Sequence, residues 1–179
     1  MSSSLLTMVQ SIEMLLDDEL DARVRREWHY LAELGLPSQA NHRGASNRPH
    51  VTVGVAHSVT DETERELVDL ADTASLDIRL GGLLVFGSRN IVLARAVVPS
   101  TAVLELHRRV RHALRHSDGV PAHLDVGHYT PHVTLAMRMT PDQLAAAVRE
   151  LVPTLVDAEG AVSAIRRWDG EGKREWTIG

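Results

Sequence analysis

The chain has 179 residues, 44% of them hydrophobic, with a formal net charge of -5 and no cysteine. That length suits one core-forming domain, the missing thiols exclude disulfide frameworks, thiolate metal sites and cysteine nucleophiles, and the acidic balance argues against coating nucleic acid through a basic face. No apolar run approaches the roughly 18 residues of a membrane helix and the opening MSSSLLTMVQ lacks a basic leader, so no membrane association is expected and the expected location is cytoplasmic.

In chain order, the apolar run 8–16 (MVQSIEMLL) reads as a strand. A helix from about Asp17 to Leu34 follows, with Asp17, Asp18 and Glu19 in its opening turn and Gly35 past its end, the polarity a helix dipole favours. The loop 41–48 carries Arg43 and Arg48 into Pro49-His50-Val51-Thr52, which begins a strand. Thr60-Asp61 caps a helix over 61–74, and a β segment over 76–86 holds Gly81-Gly82, where a bulge or tight turn is expected. The same order then recurs. A strand at 91–98, a helix from Ser100 to about His116 and the loop 125–130 lead to a strand at Pro131-His132-Val133-Thr134. Thr140-Pro141-Asp142 opens a helix over 141–152, and β segments follow at about 160–168 and 173–178.

His50 and His132 are 82 positions apart, and that offset also aligns Phe86 with Trp168 and approximately aligns the flanking elements. Each half reads β-α-β-α-β. The expectation is an α+β fold: one bilobal domain over 1–179 made of two repeats (about 8–89 and 90–179), with two antiparallel or mixed sheets, helices outside and a central active-site cleft.

Along a regular strand, His50, Thr52, Gly54 and Ala56 share one face, as do His132, Thr134, Ala136 and Arg138, while Val51, Val53 and Val55 and then Val133, Leu135 and Met137 face the other way. Two such polar faces meeting across a cleft surround a phosphate with two imidazoles and two hydroxyls. Phosphodiester hydrolysis needs a base to activate water and an acid to protonate the departing oxygen, and histidine does either near neutral pH. Threonine hydroxyls donate to the non-bridging oxygens.

These residues resemble the 2H phosphoesterases, a family named for paired His-x-Thr/Ser-hydrophobic motifs, here His50-Val51-Thr52-Val53 and His132-Val133-Thr134-Leu135. The family includes the enzymes called 2′-5′ RNA ligases, which also open RNA 2′,3′-cyclic phosphates to 2′-phosphates. The resemblance implies that His50 donates a proton and His132 accepts one, that Thr52 and Thr134 bind phosphate, and that no metal or other cofactor is needed. The implied substrate is a small nucleotide or RNA end, and a monomer is expected. Arg138 lies six residues after the second histidine rather than five, and Gly54-Val55-Ala56-His57 stands where the best-known bacterial members carry an aromatic-Leu-Gly run.

Further substrate contacts are expected from Arg138, from Arg43 and Arg48 in the loop before the first motif, and from Tyr129 and Trp168 stacking on a base. Phe86 and Trp28 read as packing residues. His112 and His116 have ligand spacing on a helix but lie among arginines, so no metal site is assigned, and His29, His42, His57, His107, His123 and His128 receive no catalytic role. The rival expectation is a non-catalytic nucleotide or RNA-end binding module on the same fold.

Overall fold

The computed structural model describes residues 9–71 and 76–178. Its elements run β1 (Gln10–Leu16), α1 (Asp18–Glu33), β2 (His50–Ala56), α2 (Asp61–Ala71), β3 (Asp77–Phe86), β4 (Ile91–Val97), α3 (Thr101–Ala113), β5 (His132–Met139), α4 (Pro141–Leu151), β6 (Ala158–Asp169) and β7 (Arg174–Ile178). The strand and helix expectations hold to within a few residues; Met8 and the last residues of the predicted 61–74 helix lie outside the described residues. The helix starts are chemically marked. Asp17 accepts from the Leu20 N–H at the start of α1, Ser100 caps α3, and Thr140 with Gln143 forms a reciprocal capping box on α4. Among the described residues no helix is long and apolar enough to cross a membrane.

All seven strands join one antiparallel sheet in the order β2-β1-β6-β3-β4-β5, with β7 on β6. The two sheets expected from sequence are therefore one, because β6 is long enough to serve both sides. Its Ala158–Ala161 stretch pairs with β3, while Val162–Asp169 pairs with β1 and Ile165–Asp169 also with β7. The first strand of each half pairs with the third strand of the other: β1 with β6, and β4 with β3. The helices cross over too, α3 lying against β2 and α1 against β5. α1 buries Leu20, Val24, Trp28 and Leu31, spaced along one helical face. The edge strands β2 and β5 end up alongside one another, which brings the two His-x-Thr segments together.

Strand alternation does not run cleanly through these segments. The β1–β2 register shifts so that Ile12 faces Gly54 and Glu13 faces Thr52, leaving Val53 as an extra residue. In β5, Leu93 faces Ala136 and Ala94 faces Thr134, leaving Leu135 extra in the same way. At each bulge two consecutive residues turn into the core, Val53 with Gly54 and Leu135 with Ala136. Beyond the bulges the facing is inverted, so Val55 and Met137, not Ala56 and Arg138, continue the histidine–threonine face. Gly54 is needed where it is: a Cβ there would lie 2.8 Å from Val110 Cγ1 and 2.9 Å from Leu114 Cδ1, so its absence lets α3 and the turn after it press onto β2. The bulge expected at Gly81-Gly82 is present, between the pairs Leu80–Val97 and Leu83–Arg95.

Candidate active site

His50 and His132 open the two edge strands and are tethered identically. His50 Nδ1 lies 2.8 Å from the Arg48 carbonyl oxygen, and His132 Nδ1 lies 2.7 Å from that of Thr130. A carbonyl only accepts, so each Nδ1 carries a proton and donates it, leaving Nε2 as the nitrogen available to a bound molecule. Thr52 and Thr134 follow on the same face, half-buried like the histidines. Their backbones are held from the opposite half of the chain: the Tyr129 hydroxyl donates to the Thr52 carbonyl at 3.0 Å, and the Trp28 indole N–H to the Thr134 carbonyl at 2.9 Å. A cavity of about 440 Å³ opens here, walled by Thr52, Thr134, His132, Tyr129, Phe86, Val55, Val92, Leu124 and Met137, with His123, His128 and Thr130 completing it.

The two sides of the site differ in polarity. Across the sheet from Thr52 stand Glu13 on β1 and then Arg166 on β6; across from Thr134 stand Ala94 on β4 and then Leu84 on β3. Phe86 lies against His132 with ring centroids 4.6 Å apart. Burial pushes the His132 imidazole below the ordinary histidine range; its bond to the Thr130 carbonyl opposes this, while His123 and His50 lower it further. A larger depression of about 700 Å³, lined by Asp17, Asp77, Arg79, Ser100 and Glu159 among others, presents three carboxylates to one guanidinium and is a poor seat for a phosphate. Among the described residues no group of three or more histidines, aspartates and glutamates is placed to hold a metal ion.

A model of the family described as the 2′-5′ RNA ligase superfamily matches residues 26–174. The chain belongs to this superfamily. It is thereby a 2H phosphoesterase family member. No curated protein matches by sequence. Among solved structures, Escherichia coli LigT in apo form superposes with a TM-score of 0.57 at 15% identity, covering 96% of this chain and 95% of LigT. Kluyveromyces marxianus Usb1 gives 0.55 at 13% identity, covering 95% and 97%. Other structures of these two proteins hold uridine monophosphate on Usb1, and 3′-AMP or NADP+ on LigT. At such identities the likeness shows the fold.

In this 2H phosphoesterase the remaining predicted contacts fall unevenly. Arg138 does not extend the histidine–threonine face: a second register shift in β5 puts it in the left-handed region at φ 58, exposed, while Met137 turns to the cavity. Tyr129 does line the cavity, but one face of its ring is taken by His107, stacked at 3.9 Å and 7°, so it acts as a buried hydroxyl donor rather than an open platform. Burial raises its phenol well above the usual range, keeping that donor protonated, and likewise lowers the His107 imidazole. Arg48 turns to Asp21 on α1, 3.8 Å away, and Arg43 is exposed on its loop. Trp168 pairs with Ser11 and Glu175 on the Glu13 side and is half-buried; the cavity wall carries Phe86, 82 positions before it, instead. His123 and His128, to which the sequence assigns no catalytic role, line the cavity, and Glu13 lies across the sheet from Thr52. His128 and His123 sit four and nine residues before the second motif, a proximity that was their only sequence signal, and Glu13 was hidden inside a run read as apolar.

Proposed function

We propose that the chain is a metal-independent phosphodiesterase that hydrolyses a nucleoside or RNA-terminal 2′,3′-cyclic phosphate to the 2′-phosphate, with 2′-5′ RNA ligation as the reverse chemistry. What carries this is the pair of identically tethered imidazoles opening adjacent edge strands, each with a threonine two residues on, where His132, Thr52 and Thr134 line one cavity and His50 lies close enough to act on the His132 ring. The substrate phosphate binds between the threonine hydroxyls. Water attacks phosphorus as His132 Nε2 removes its proton; the bond from phosphorus to O3′ breaks, and O3′ takes a proton from His50 Nε2. One proton enters the protein and one leaves, so the products are the 2′-monophosphate and the free 3′-hydroxyl. Two protein groups perform both proton transfers, and no step needs a metal. The two halves act as repeats of one unit, each contributing one such group.

The test is incubation of the purified protein with a nucleoside 2′,3′-cyclic phosphate in the presence of chelator. The expected product is the 2′-monophosphate; binding without turnover, formation of the 3′-monophosphate or dependence on added metal would overturn the reading. The pH profile adds a second expectation. His132 must be neutral to accept a proton, and its lowered pKa keeps it neutral to lower pH, so the acid limb of kcat/KM should fall off below the ordinary histidine value of 6.5. A limb centred above 6.5 would contradict the assignment of His132 as base.

A further inference from the structure

A site assembled from two like halves has to be told which histidine gives a proton and which takes one. Both His50 and His132 use the same tether, so the difference lies around them. The Glu13 carboxylate is 4% exposed, and its Oε1 lies 3.7 Å from His50 Nε2. Its position is fixed from two sides: the Ser11 hydroxyl donates to Oε1 at 2.6 Å, while Arg166 donates to Oε2 through Nε at 2.9 Å and through a terminal nitrogen. Arg166 is itself buried and shared with Glu175 on β7 and the Ser46 carbonyl. The cluster therefore holds two carboxylates to one guanidinium, leaving negative charge beside His50. Arg48, the nearest basic residue in sequence, is turned to Asp21. On the His132 side the matching strand positions are Ala94 and Leu84, and the groups acting on that ring are His123 and His50.

We propose that Glu13 is the positioning residue that commits His50 to the role of proton donor, held in place by Ser11 and Arg166. A buried carboxylate fixed at this distance orients the Nε2 edge of the His50 ring and lies against the positive charge the ring carries when it holds the proton it is to give. This rests on the phosphodiesterase reading above. In that reaction the proton passes from His50 Nε2 to O3′ as its bond to phosphorus breaks, so losing Glu13 should matter only when the leaving group needs that proton.

The experiment compares a nucleoside 2′,3′-cyclic phosphate with its analogue carrying sulfur in place of the 3′-oxygen, whose thiolate departs unprotonated. Glu13→Gln is expected to slow the oxygen ester by about 10- to 100-fold, a share of the roughly 10²–10⁴ a positioned acid supplies, and to leave the sulfur ester within about twofold of wild type. Because Glu13→Gln removes one of the two carboxylates that hold the buried Arg166 guanidinium, the double variant Glu13→Gln/Arg166→Gln, which removes the whole pair, is assayed beside it and should show the same discrimination. Equal slowing of both esters would make Glu13 merely structural and overturn the proposal, as would no slowing of either. A wild-type protein that cleaves the oxygen ester but not the sulfur one would also count against it. Failure of the wild type on both esters would instead sink the phosphodiesterase reading itself.

Discussion

His50→Ala and His132→Ala are each expected to reduce kcat/KM for a nucleoside 2′,3′-cyclic phosphate by about 10²–10⁴-fold, the usual contribution of one positioned acid or base. The fold should survive both. Each imidazole is half-buried and, among the described residues, makes one hydrogen bond, from Nδ1 to the carbonyl two residues before it, a net contribution of about 1 kcal/mol. His132 also packs on Phe86, so His132→Ala should be the less stable of the two by a small margin. Because the proton taken from water and the proton given to O3′ belong to one displacement, the losses should not add, and the double variant should resemble the worse single one. Steady-state kinetics with matched thermal melts checks this. Turnover within a few-fold of wild type in either single variant would end the two-histidine mechanism, and a collapsed melting transition would show that the residue was holding the strand instead.

The two motifs were legible because they combine three local signals: a repeated string, apolar alternation beside it and a shared offset. What alternation could not reveal was where each strand loses step with its partner. The bulge at Leu135–Ala136 carries no glycine or proline, and Gly54 beside Val53 continues the apolar alternation as a small strand residue, so the string alone does not mark the two inversions. Arg138 was placed on the wrong face for that reason, whereas Gly81-Gly82 announced its bulge by composition. Pairing choice was equally hidden. Whether β6 continues from β3 to β1, making one sheet of two, depends on contacts across most of the chain. Glu13 escaped notice because a carboxylate inside an apolar strand gains its meaning from Arg166, 153 residues away. Tyr129 lines the cavity, but its sequence neighbourhood gives no sign that one face of its ring is covered, because His107, which covers it, lies on a separate helix.

Arg95→Met is expected to destabilise the protein by about 3–5 kcal/mol, the cost of breaking a buried ion pair by removing one partner. Arg95 is fully buried on β4, facing away from the cavity. Its guanidinium donates to the Gly81 carbonyl at 2.8 Å and the Leu80 carbonyl at 3.5 Å, at the bulge in β3, as well as to the Val156 carbonyl at 2.9 Å and to Glu27 on α1. It thus ties α1, the bulge and the approach to β6 to the strand that pairs with the second motif. Burial already raises the Glu27 carboxyl above its ordinary value, with Arg95 the main influence pulling it back, and Arg23 is a distant 4.0 Å. Without Arg95 the carboxyl would rise further. A carboxyl raised in the folded state adds stability below its unfolded value of 4.5 and loses it as pH climbs through the folded value, so the variant's deficit should be larger at pH 8 than at pH 5. Adding Glu27→Leu should flatten that pH dependence and recover part of the loss, the remainder being the three carbonyls left without their donor. Urea unfolding at the two pH values separates these outcomes, and a pH-independent deficit in Arg95→Met would show that the carbonyls, not Glu27, are what Arg95 serves.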